Sequence, residues 1–137
     1  MAYEETLRSI TLLADSSIGI FTGPPGVPGS LTPNSGKQFR WVKVTGAGAA
    51  GLCSTGATEH AIGVLQNKPQ GVGDASAIGV RGISMVECGG TVAAGDSLKL
   101  DTSSRVVTGV YGTDNIRAVA ILAGAVGQLI PAFITAR

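Results

Sequence analysis

From Lys37 onward the chain alternates short apolar runs with clusters of Gly, Ser and Asp. "KQFRWVKV" places Phe39, Trp41 and Lys43 on one face and Arg40, Val42 and Val44 on the other, the period of a strand. "GAGAAGLCSTG" reads as a glycine-rich loop with a short apolar piece at Leu52-Cys53. "HAIGVLQ" reads as a strand, "NKPQGVGDAS" as a turn-rich loop, and "AIGVRGISMVEC" as a longer strand. "GGTVAAGDSLKLDTSSRVVTG" runs strand, turn, strand, turn, strand, and "NIRAVAILA" and "GQLIPAFITA" close the series. Short strands at close spacing predict an all-β fold, a small Gly/Ala-rich β-barrel or sandwich. Gly and Ala inside the strands fit a tightly curved barrel in which backbones approach closely.

The first 36 residues follow another pattern. Leu7, Ile10, Leu12, Leu13, Ile18, Ile20 and Phe21 fit a short helix over Glu4–Ala14 and an extended, strand-like arm equally well. Then comes "GPPGVPGS", Gly23 to Ser30, with glycine at every third position. Collagen needs that register over many repeats, and here Thr32 ends it. Proline cannot donate a ladder hydrogen bond, so the stretch predicts a stiff hinge. The expected division is an N-terminal arm and Pro/Gly hinge over 1–36 and a β-barrel body over 37–137. The arm's apolar set Leu7, Ile10, Leu12 and Leu13 has no obvious place in a barrel closed by later strands. These four are the candidate contacts with a partner surface or a neighbouring copy.

Ala118 to Ala136, "AVAILAGAVGQLIPAFITA", has the length of a membrane span. Gly124, Gly127 and Pro131 interrupt it, and Gln128 lies within it. Two buried strands joined by a tight turn at "GAVG" are the better expectation, so no membrane partner is expected. A weak internal echo links "HAIGVLQ … DASAIGVRGISMVEC" with "RAVAILA … GQLIPAFITA", a hint of duplicated hairpins.

Composition narrows the function classes. Charged residues make up 14% of the chain against roughly a quarter in ordinary domains. An apolar surface of this kind is usually covered by partners, and disordered chains are more polar. Net charge is +1 with no basic run, which gives nucleic-acid binding little electrostatic support. Cys53 and Cys88 fit two buried thiols, and His60 is the lone histidine, so no metal site or cofactor is expected. The opening "MAYEETLRS" does not read as a secretory signal.

Three motifs suggest chemistry. "GDSL", Gly95 to Leu98, is the name-giving block of a hydrolase family whose serine is the nucleophile. That serine needs a histidine base, which the family carries near its C-terminus, and no histidine follows His60 here. The alternative is a turn in which Gly95 permits the bend, Asp96 caps it, and Leu98 and Leu100 point inward. Lipoyl and biotinyl carriers share a similar turn, but they present their lysine at a hairpin tip, whereas Lys99 is expected inside a strand. Gly46, Gly48 and Gly51 match the spacing of a dinucleotide loop, yet no amphipathic helix follows to bind pyrophosphate. No catalytic residue is expected.

"GTVAAGDSLKLDTSSRVV" (90–107), with "NIRAVAILAGAVGQLIPAFI" and the earlier "AIGVLQNKPQGVGDASAIGVRG", resembles the capsid decoration (cement) proteins of tailed bacteriophages. The resemblance covers about residues 37–137 and leaves the arm and hinge outside it. It implies a non-enzymatic virion protein on the capsid surface, assembled in the host cytoplasm. It implies a homotrimer that binds the major capsid protein and stabilises the finished shell. The other reading is a β-barrel carrier or ligand-binding module, and a GDSL-type hydrolase is a distant third.

Overall fold

The computed structural model describes residues 7–18, 21–22, 32–33, 37–56, 59–69 and 72–135. These are strands and turns with no α-helix. The strands are β1 (Arg8–Ala14), β2 (Phe21–Thr22), β3 (Thr32–Pro33), β4 (Trp41–Gly46), β5 (Ala49–Leu52) and β6 (Gly63–Leu65). They continue with β7 (Ala75–Glu87), β8 (Ser97–Leu100), β9 (Val106–Thr108), β10 (Ala118–Ala120) and β11 (Leu129–Ile134). Strands β2 and β3 pair with each other, Phe21 opposite Pro33. The Pro/Gly hinge between them lies outside the described residues.

The other strands form one nine-stranded sheet that curls into two rings sharing β7. In the first ring β7 pairs with β1 and β6, β4 joins β6 to β5, and β5 returns to β1 in parallel. In the second, β7 pairs with β11, followed by β10, β8 and β9. A parallel bridge from Cys88 to Val106 closes it. The length of β7 makes this possible. Residues 75–81 serve the first ring and residues 82–87 the second. The change of partner falls at Gly82, whose φ of +112° is open to glycine at little cost.

Each ring encloses an apolar cluster. Ala14, Ile18, Val42, Ala50, Leu65 and Ile78 fill the first. Val86, Cys88, Val92, Leu98, Leu100, Val106, Ile130 and Ile134 lead the second, which Trp41 and Val64 also enter. Trp41 and its neighbour Val42 are both 0% exposed because the two faces of β4 look into different clusters. Along β7 the buried residues are Ser76, Ile78, Gly79, Gly82, Ser84 and Val86, the period of two expected of a strand apart from Gly79.

Arg8–Ala14 departs from the expected free arm. It is neither a helix nor separate from the body. It pairs with β7 over Arg8 to Leu13 and with β5 at Leu13 and Ala14, and without it the first ring would stay open. The physical reason is edge pairing. Strands β5 and β7 would otherwise leave a row of backbone donors and acceptors unmatched. "GAGAAGLC" also departs from the expected loop, since it folds back as the β4–β5 hairpin with Val44 opposite Ala50. The membrane-length stretch holds two antiparallel strands, β10 and β11, with Val119 opposite Phe133. Residues 121–128 form a wider connection than the tight turn expected.

The second ring carries a true internal repeat, placed differently from the echo in the sequence. An offset of 32 residues takes Val86 to Ala118 and Leu98 to Ile130. The register Ile130↔Val86, Leu129↔Glu87 then becomes Leu98↔Ala118, Ser97↔Val119. The turns match atom for atom. Gly95 N donates to Ala120 O and Gly127 N donates to Cys88 O, each at 2.8 Å. Val92 and Gly124 exchange hydrogen bonds with each other, so the approximate two-fold axis passes between them.

Candidate functional site

The residues singled out by their chemistry gather on the outside of the second ring. In "GDSL" Gly95 adopts φ +86°, and the Asp96 carboxylate accepts from Ala93 N at 2.9 Å and from the Thr108 hydroxyl at 3.0 Å. Leu98 and Leu100 are buried, so this is the capped turn that the residues predict. Ser97 therefore faces outward by alternation along β8. There it lines an open cleft of about 780 Å³ together with His60, Glu59, Tyr111, Asp114 and Arg117.

Two loops and two strand ends build the cleft. The loop between β5 and β6 brings Glu59 and His60, and the loop between β9 and β10 brings Tyr111 and Asp114. The Glu59 carboxylate accepts from Lys43 Nζ at 2.6 Å and from Ser54 N at 2.7 Å. Burial acts to raise its pKa, but the hydrogen bonds from Lys43, Ser54 and Thr55 outweigh it and hold the carboxyl at about 2. Asp114 accepts from Val110 N at 2.8 Å and from Lys99 Nζ at 3.2 Å, and these bonds, the backbone one first, lower its pKa. Lys99 thus lies within β8 in an ion pair and not at a hairpin tip. No hydrogen bond joins Ser97 to His60, although both face one cleft.

Arg117, not singled out by the sequence, is the buried cation of the cleft. Its N donates to Leu98 O at 2.8 Å and its O accepts from Thr135 N at 2.9 Å, which anchors it between β8 and β11. Its Nη2 donates to Glu59 O at 2.7 Å, tying the first ring's loop to the second ring. A signal was present in the sequence, since "NIRAVAIL" puts one cation inside an apolar run.

Behind the cleft wall Cys53 is 1% exposed. Burial first, then the nearby Glu59 carboxylate, push its thiol up to about 12, so it stays protonated and unreactive. Burial likewise raises Cys88. Among the described residues no group of three or more His, Cys, Asp and Glu side chains converges. Gly46, Gly48 and Gly51 lie in the β4–β5 hairpin, with no helix after them.

The four candidate contact residues divide. Leu7 packs against the second cluster and Leu12 against the first, while Ile10 (43% exposed) and Leu13 (50%) remain on the surface. A larger apolar area covers the outside of the second ring. Leu129, Pro131 and Phe133 on β11 lie opposite Glu87, Met85 and Ile83 on β7, with Val119 beside Phe133. Leu122, Val126, Leu129 and Phe133 are all exposed.

The fold has a solved counterpart. The chain is similar to the N base of the head fiber gp8.5 of bacteriophage phi29, with a TM-score of 0.61 and 15% identity over 95% of each chain. At that identity the similarity is one of fold. No protein-family model matches the chain, and no curated protein matches it in sequence.

Proposed function

We propose that this chain is a non-enzymatic virion structural protein that binds the outer surface of an assembled phage capsid and stabilises it as a homotrimer. The observation that carries the reading is the match over nearly the full length to the base of a phage head fiber, a fold shared end to end. Two further features support it. The outward face of β11 exposes Leu129 and Phe133, beside half-buried Ile83, Met85 and Val119 on β7 and β10, apolar side chains of the kind that partners cover. Ile10 and Leu13 on β1 offer a second apolar contact, to the major capsid protein or to a neighbouring copy.

The test has two parts. Light scattering on the eluting protein should report about three times 13.7 kDa at micromolar concentration. Expanded, genome-free shells of the cognate phage should carry the protein down on sedimentation, and Phe133→Asp or Leu13→Asp should reduce the bound fraction at least tenfold. A monomer that leaves the shells bare would overturn the reading.

A further inference from the structure

Arg117 is 9% exposed, and among the described residues Glu59 O is the one side-chain hydrogen-bond partner it has. Among the described residues no carboxylate forms an ion pair with it. A guanidinium presents five N–H donors, and burying one without a counter-charge is costly. The carboxylates of the same cleft are already engaged, Glu59 by Lys43 and Asp114 by Lys99. Two neutralised pairs and one cation with no carboxylate partner among the described residues, its backbone held between β8 and β11, therefore face an open volume of about 780 Å³. That volume is within the range of small-ligand sites.

We propose that this cleft binds a single carboxylate group, with the Arg117 guanidinium as its anchor. A planar fork of donors matches a carboxylate in two parallel hydrogen bonds. A monoanion suits the cleft better than a phosphate dianion, because the two ion pairs on its walls are neutral and Arg117 offers a single positive charge. The Ser97 hydroxyl and the His60 ring line the same cleft and add hydrogen-bonding capacity. Tyr111, 84% exposed, adds an aromatic surface for the ligand's apolar part. The carboxylate can belong to a free small acid or to an acidic side chain of a protein partner. The proposal stands apart from the capsid reading and holds whether or not the chain sits on a shell.

The test is an amide-shift NMR titration of the full chain at low ionic strength, where screening is weak. 4-Acetamidobutyrate is the free acid, a capped peptide with one central glutamate is the protein-borne form, and 4-acetamidobutyramide is the neutral control. Saturable shifts at Ser97, Tyr111 and Arg117 are expected with the acids and not with the amide. Arg117→Gln should weaken binding about tenfold or more, with Arg117→Lys intermediate because an ammonium lacks the fork. Should Arg117→Gln fail to fold, Ser97→Ala and the acid-against-amide contrast on the unaltered protein still decide. Saturation by the free acid alone identifies a small-molecule site, and saturation by the peptide as well identifies a protein side chain. Either result supports the proposal. No saturable shift from either acid up to about 50 mM, or equal shifts from the neutral amide, overturns it.

Discussion

The two rings share a strand yet solve closure in opposite ways. Every strand of the second ring comes from one continuous stretch, β7 to β11, and the pairing of Val86 and Glu87 with β11 recurs as that of Ala118 and Val119 with β8 across an approximate two-fold axis. The first ring takes β4 to β7 from a continuous stretch but needs β1, which the Pro/Gly segment separates from β4 in the chain. The second ring is thus assembled from local pairings and the first is completed by a distant one, which carries the greater loop-closure cost. The difference locates the weak joint of the molecule at β1.

The largest expected effect comes from removing that joint. Deleting residues 2–14 takes away β1, uncovers the edges of β5 and β7, and opens the cluster around Val42, Leu65 and Ile78. We expect loss of the cooperative thermal transition, or a fall of several kcal/mol with aggregation, read by circular dichroism and gel filtration. A truncated protein that melts like the full chain would show that the first ring does not depend on β1.

Core truncations come next and test whether the clusters are separate. Ile78→Ala in the first and Leu98→Ala or Ile130→Ala in the second should each cost about 2–5 kcal/mol in denaturant unfolding. Ile78 with Leu98 should add, since they belong to different clusters. Leu98 with Ile130 should deviate from additivity, since they share one. Additivity in both pairs would mean that the division into two cores has no energetic meaning.

A smaller effect concerns the loop that joins the rings at the cleft. The Glu59 carboxyl lies below its ordinary value of 4.5, at about 2. A depressed folded-state pKa means that its stabilisation is complete above the unfolded value and is lost as pH falls through the folded one. Stability should therefore drop by about 2 kcal/mol between about pH 4.5 and pH 2, and Glu59→Gln should flatten that part of the profile. An unchanged profile in Glu59→Gln would remove this carboxylate as the cause.

How much of this was legible in the sequence follows from how local each feature is. The all-β class, the buried Leu98 and Leu100 beside the Gly95 turn, and the strand pair in the membrane-length stretch all rest on neighbours within a few residues. The fate of Leu7 to Ala14 was not legible, because its apolar residues do not alternate and its partner Ile78 lies far along the chain. Alternation put Trp41 and Val42 on opposite faces but could not say that both faces of β4 would be buried. The repeat was not legible because its equivalent residues keep geometry and not identity, as with Asp96 and Gln128 or Cys88 and Ala120. The cleft needed two loops from different rings, and the lone Arg117 that links them was its one local sign.

The smallest expected effect tests how far the two-fold relation extends into energy. Gly95 (φ +86°) and Gly127 (φ +82°) occupy equivalent turns, and an added Cβ would meet nothing within 4 Å at either. The cost of Gly→Ala at both is then purely conformational, about 1–2 kcal/mol, and should be the same at the two sites. The residues that follow break the equality. The Gln128 amide oxygen accepts from Ala125 N at 2.8 Å, as the Asp96 carboxylate accepts from Ala93 N at 2.9 Å, but Asp96 also accepts from the Thr108 hydroxyl on β9. A charged acceptor with two partners outweighs a neutral one with a single partner. Asp96→Ala should therefore cost about 1 kcal/mol more than Gln128→Ala in denaturant unfolding, and Thr108→Val should remove part of that difference. Equal costs for the two alanine substitutions would mean that the charge and the link to β9 add nothing to the turn.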